Sequence, residues 1–152
     1  MTTALDLITE HPFLDGLDPE ALTRLSAWAS RSQFHPGTRI FSEGGKADRF
    51  WLIRSGQVQL DVHLPNRGRV VFESLGPGTV LGWSWMFEPY RWHFGATAVD
   101  ATLTVEFDGR GVHRLCDQDP ALGHALTSRF IRVVVDRLQA TRIRLLDLYG
   151  SP

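Results

Sequence analysis

Apolar and polar positions along the chain follow three successive periods. Residues 18–31, DPEALTRLSAWASR, place Leu22, Leu25, Trp28 and Ala29 at helical spacing. Asp18 can cap the free amides there and Pro19 suits the first turn, so the spacing predicts a helix over 18–31. From Gln33 to Phe107 the period shortens to that of strands. Runs rich in β-branched and aromatic residues (RIF, RFWLI, QVQLDVHL, RVVFESL, TVLGW, TAVDA, LTVEF) alternate with the turn signals HPG, EGGKAD, SG, PNRG and GPG. This predicts an antiparallel roll of about eight short strands over roughly residues 33–108. In QVQLDVHL, Val58, Leu60, Val62 and Leu64 share one face, which leaves the other face wet.

The third part opens at Asp119-Pro120, a cap followed by a first-turn proline, and runs without a breaker to Tyr149. A helix of that length spans about 45 Å at 1.5 Å per residue, more than a small roll can cover. It carries two apolar stripes. Leu122, Leu126, Phe130 and Val133 form one, which fades where Arg137 would continue it. Ile131, Val134, Leu138, Thr141, Leu145 and Leu148 step by three and four, the spacing of a coiled-coil seam. The first stripe is expected on the roll and the second against a copy of itself, so a homodimer through the C-terminal helix is expected. The class is α+β: one domain over residues 1–152, with an N-terminal helix, a jelly-roll-like β-roll and a long C-terminal dimerisation helix over about 119–149.

Composition narrows the function. A formal net charge of −1 without a basic patch speaks against nucleic acid or anionic membrane as a direct partner. All but one of the 16 basic residues are arginine, the exception being Lys46. A lone cysteine, Cys116, cannot form an internal disulfide and fits a reducing compartment. The start, MTTALDLITEHPF, lacks the pattern of a signal peptide, and no apolar run is long enough for a membrane span. A cytoplasmic location is expected.

Candidate chemistry concentrates in LGWSWMFEPYRWHFGA, where Trp83, Trp85, Phe87, Tyr90, Trp92 and Phe94 crowd into twelve consecutive positions. The stretch G-W-S-W-M around Ser84 lacks the second glycine of a nucleophile elbow, and Ser84 reads as a cap of a short helix. His113 and Cys116 stand three apart, but no second pair completes a metal set. No catalytic or metal residues are assigned. The rings admit three readings: packed core, a pocket for a flat apolar ligand, or a protein-binding patch.

Several stretches together resemble the cyclic-nucleotide-binding domain of the Crp/Fnr (cyclic AMP receptor protein) type. These are FSEGGKADRFWLIRSGQVQLDV, SLGPGTVLG, TAVDATLTVEF and DRLQAT, and the likeness covers roughly residues 12–149. The resemblance implies a regulatory β-roll with no enzyme chemistry. It implies a short helix after Gly82 whose amides meet a cyclic phosphate, a ribose-binding Glu next, a phosphate-binding Arg further on, and a base-contacting Thr in the long helix. Here Trp83 stands at the Glu position, Trp92 at the Arg position with Arg91 one residue early, and Thr141 at the Thr position. A one-residue shift in a strand turns a side chain to the opposite face. Gly82, Trp83, Ser84, Trp85, Arg91, Trp92, His93 and Thr141 are the candidate ligand-binding residues. The lost charges speak against cyclic AMP or GMP, because unpaired buried hydroxyls and phosphate cost several kcal/mol, on the order of 2–7 per group. Three functions stay open: a sensor of another small molecule acting through a protein partner, a true cyclic-nucleotide sensor, and a ligand-free adaptor dimer. The family's helix-turn-helix, which would follow the long helix, is not expected here, nor is direct DNA binding.

Overall fold

The structure is a computed structural model and describes residues 2–150. Its N-terminal part is helical: α1 (Ala4–Glu10), a 3-10 turn (Pro12–Leu14) and α2 (Pro19–Ser26). Thr3 closes α1 with a capping box, its hydroxyl accepting from Asp6 N–H while the Asp6 carboxylate accepts from Thr3 N–H. Asp18 and Pro19 open α2 as expected. The helix does not continue to residue 31, however. Ala29–Phe34 is strand β1, paired from Ala29↔Phe107 to Phe34↔Thr102 with the last strand. Strand pairing and the seating of Trp28 over Gly111, where a Cβ would lie 2.2 Å from the indole, override the helical spacing.

Eight strands follow one another: β1, β2 (Arg39–Phe41), β3 (Arg49–Ser55), β4 (Val58–Leu64), β5 (Gly68–Leu75), β6 (Val80–Leu81), β7 (Gly95–Ala98) and β8 (Thr102–Asp108). They form two antiparallel four-stranded sheets, ordered β1-β8-β3-β6 and β2-β7-β4-β5. The roll therefore begins at residue 29, a few positions earlier than its turn signals suggest. Two helices complete the chain, α3 (Gly109–Gln118) and α4 (Pro120–Gly150).

Strand β4 departs from clean alternation. Val58 and Leu60 are buried, but Leu64 is 38% exposed, and Asp61 on the expected wet face is buried. A register irregularity at Leu60/Asp61 shifts the pairing with β5. Asp61 is covered by Arg39, which donates from Nη1 and Nη2 at 2.5 and 3.0 Å, and by Arg69, which donates from Nε at 2.9 Å. Burial pushes the Asp61 carboxyl up, but the guanidinium bonds outweigh it and hold the group below the ordinary carboxylate range.

The core has two halves. One lies between the roll and the helices, where Phe50 and Phe107 (4.5 Å, interplanar 2°) meet Leu25, Val112, Leu126 and Phe130. The other fills the roll interior, with Ile53, Val58, Leu60, Leu81, Trp92 and Phe94. Leu122, Leu126 and Phe130 of α4 are buried and Val133 packs beside them, as the first stripe requires. The second stripe is bare on this chain, with Ile131, Val134, Leu138 and Leu145 exposed and Leu148 at 78%.

Candidate functional site

The aromatic run is sorted by its backbone into different neighbourhoods. Gly82 ends β6 at φ +97°, in the left-handed region that glycine alone adopts without penalty, and a Cβ there would lie 2.9 Å from the Trp92 ring. The short helix after it is a single 3-10 turn, Ser84–Met86. Trp83 is its cap residue and makes no side-chain cap bond. Ser84 is thus not the cap that its position suggested. Its buried hydroxyl lies 3.1 Å from His93 Nδ1, tying the two ends of the segment together. No hydrogen bond or ion pair from a carboxylate reaches His93 among the described residues, so the pair lacks the third group of a nucleophilic triad.

Trp85 leaves the roll for the helix-side core. It stacks on Phe50 (4.8 Å, 18°) and meets Phe130 edge-on (5.5 Å, 74°), while its indole N–H has no partner among the described residues. Trp92 goes the other way. It lies flat on Phe41 at 3.9 Å with an interplanar angle of 13°, near Trp51 at 6.1 Å. Phe94 meets Trp83 edge-on at 5.1 Å. The position that the resemblance gives to a phosphate-binding Arg is therefore filled by an indole in a stack of rings. Arg91, one residue earlier, is on the outside of the roll, opposite Lys46 in a short antiparallel bridge.

Thr141 is exposed on α4 and donates its hydroxyl to the Arg137 carbonyl at 2.9 Å. Together with Val134, Arg137 and Leu138 it faces Phe72, Glu73, Trp83 and Phe94 across a groove of about 250 Å³. The groove borders the exposed seam and shares Val134, Leu138 and Thr141 with it. Arg137 is the group that sequence reasoning missed. Its position reads as the end of an apolar stripe, yet its guanidinium completes that stripe. It donates from Nη2 to the Val80 carbonyl at 2.7 Å, sits 4.8 Å over the Trp83 ring and 4.0 Å from Glu73. Burial lowers its pKa, an effect that Glu73 partly offsets, and Nη1 is buried without a partner among the described residues. The only available signal was the helical step from Phe130 to Arg137.

Of the eight candidate ligand residues, the structure gathers Trp83 and Thr141 at this groove and sets Gly82 and Trp92 in the roll behind it. Ser84 and His93 pair with each other, and Trp85 and Arg91 serve other surroundings. Among the described residues no group of three or more His, Cys, Asp or Glu side chains could hold a metal ion. Among them, too, no helix is long and apolar enough to cross a membrane.

A two-sheet roll closed by a long helix, with a glycine turn and a short helical segment between β6 and β7, is the architecture of a regulatory β-roll domain. The family model of the cyclic nucleotide-binding domain matches residues 31–119, and the chain belongs to that family. The chain is 24% identical over 143 residues to a CRP-like cAMP-activated global transcriptional regulator of Mycobacterium tuberculosis, covering 94% of this chain and 62% of that protein. It is 28% identical over 120 residues to the HTH-type transcriptional regulator Cmr of the same species, covering 79% and 47%. It thus spans less than two thirds of these curated relatives. Among solved structures, a Geobacter metallireducens GS-15 protein superposes with a TM-score of 0.80 at 25% identity, covering 89% of this chain and 98% of its own.

Proposed function

We propose that this domain is a non-enzymatic, dimeric regulatory module whose roll interior is occupied by its own rings instead of a cyclic nucleotide. One observation carries the reading: Trp92 stacks on Phe41 at 3.9 Å, where the family resemblance implies a phosphate-binding Arg. An indole cannot neutralise a phosphate, and ring stacking of this kind is worth about 0.5–1.5 kcal/mol beyond burial. The remaining groove of about 250 Å³ is smaller than the roughly 300–1,000 Å³ typical of ligand pockets. The exposed seam from Ile131 to Leu148 would pair with a second copy and transmit the state of the roll to a protein partner.

The orphan Nη1 of Arg137 beside Trp83 favours a second reading, in which a small flat anion sits in the groove between roll and helix. Because that groove shares Val134, Leu138 and Thr141 with the seam, its occupancy would bear on dimer geometry. Isothermal titration with cyclic AMP and cyclic GMP at millimolar concentration separates the readings from the family's usual ligand. No heat is expected from either, and saturable 1:1 binding lost in Trp92→Ala would overturn the filled-roll reading.

A further inference from the structure

The outer side of the same segment holds a second cleft. Three backbone bonds zip the loop at Gly44–Ala47 to the turn at Tyr90–Trp92: Gly44 N–H to Trp92 O (2.8 Å), Trp92 N–H to Gly45 O (2.9 Å) and Ala47 N–H to Tyr90 O (2.8 Å). Lys46 and Arg91 are thereby held opposite each other. Directly opposed residues of an antiparallel pair project to the same side, and like charges in that arrangement are destabilising. The third wall is α3, whose Arg110, His113 and Arg114 lie at i, i+3 and i+4 on one helix face. Arg110 and Arg114 again set like charges at a spacing that costs stability. Gly109 brings this helix against the loop, donating its N–H to the Asp48 carbonyl at 2.8 Å, with a hypothetical Cβ only 2.9 Å from Asp48 and 3.0 Å from Trp85.

The cleft measures about 560 Å³ and takes in Lys46, Arg91, Arg110 and Arg114 around Tyr90 and Trp85. Asp48 is its one carboxylate and is already 4.0 Å from Arg49, outside the cleft. Among the described residues, none of the four cations has an acidic side chain within ion-pairing distance, although Arg114 lies 5.5 Å from the Trp28 ring. His113 reaches Asp117 at 3.4 Å. Trp85, 3% exposed, borders the cleft, while its ring packs inward on Phe50 and Phe130. Tyr90, also in the lining, holds φ +56°, a conformation that a bulky residue adopts only under constraint. Two like-charge juxtapositions and a left-handed backbone at Tyr90 converge on one concave surface. Among the described residues no acidic side chain pairs with Lys46, Arg91, Arg110 or Arg114 to offset the like charges.

We propose that this cleft binds a small phosphate-rich anion, either a condensed phosphate or a nucleotide that carries one. Arginine guanidiniums meet phosphate oxygens through paired N–H donors, and Lys46 adds a point charge. The Tyr90 ring offers a flat surface to a base. The site is independent of the filled-roll reading, because it is built from loops and α3 and not from the inward faces of the sheets.

Isothermal titration with inorganic tripolyphosphate, ATP and cyclic AMP at 100 mM salt tests it on the whole chain. Saturable 1:1 binding of tripolyphosphate or ATP is expected, weakened at least tenfold in Arg91→Gln/Arg110→Gln and unchanged in Arg67→Gln, an exposed arginine outside the cleft. ATP binding at least tenfold tighter than tripolyphosphate identifies a nucleotide as the ligand, and equal affinity identifies the phosphate chain alone. Both Arg91 and Arg110 are exposed, so circular dichroism should show the double variant folded. No saturation up to 5 mM of either probe, full retention of binding in the double variant, or equal loss in Arg67→Gln would overturn the proposal. Binding of cyclic AMP that survives Arg91→Gln/Arg110→Gln but not Trp92→Ala would count against the filled-roll reading and leave the cleft to be judged by the other two probes.

Discussion

Inside the roll, Trp92 lies against Phe41 with ring centroids 3.9 Å apart, and Phe94 closes on Trp83 at 5.1 Å. On the outer side of the same backbone, Lys46 and Arg91 face each other, and among the described residues no carboxylate pairs with either. The interior maximises packing and is short of charge, while the exterior gathers charge at a cost to stability. A family whose ligand site relies on phosphate recognition has here a neutral, close-packed interior and a cationic cleft next door. The contrast teaches that the two jobs of such a site, filling space and balancing charge, can be split between neighbouring residues, Trp92 turned inward and Arg91 outward.

The contrast breaks first if the rings are not structural. Trp92→Ala should cost about 3–5 kcal/mol in urea unfolding, the usual loss for a buried large aromatic. A loss below about 1 kcal/mol would mean that the interior is loosely packed and open to a ligand.

A second variant compares satisfied with unsatisfied charge. Asp61 pairs with Arg39 and Arg69 on the outer face of β4, and Asp61→Asn should cost about 1–3 kcal/mol, toward the lower end because both arginines are substantially exposed. The carboxyl is held below its ordinary 3.8, so its stabilisation is complete above that value and is lost as pH falls through the folded-state value. Acid unfolding below that point should therefore be steeper in the natural chain than in Asp61→Asn. Parallel curves would show that the cluster is not coupled to folding.

The smallest effect belongs to the cleft. Lys46→Gln/Arg91→Gln should leave unfolding free energy unchanged or raise it by about 0.5 kcal/mol, since it removes like charges that no acid offsets. A loss above about 1 kcal/mol would place these cations in the structural framework, like Asp61 and its partners.

Much of the architecture was legible. The two stripes of the last helix, one buried at Leu122, Leu126 and Phe130 and one exposed from Ile131 to Leu148, follow from helical geometry alone. Turn glycines and short β-rich runs located seven of the eight strands, β2 to β8. The reading failed where neighbours remote in sequence decide. Residues 27–31 continue a helical pattern, but the free edge of β8 recruits Ala29 into a strand. The first helix, Ala4–Glu10, is short and its capping box lies at the extreme N-terminus, so it passed without notice. Asp61 looked solvated, yet arginines from β2 and β5 bury it.

The sequence by itself determined the succession of helix, β-roll and long helix, the crowding of rings after Gly82 and the absence of a Glu or Arg at the positions implied by the family. Those are properties of local spacing and residue type. Only the tertiary structure decided that Trp85 and Trp92 enter different cores, that Arg137 continues a buried stripe, and that Arg91 joins Lys46, Arg110 and Arg114. Each depends on which backbone segments meet, and that is set by sheet pairing across tens of residues, beyond the reach of any periodicity.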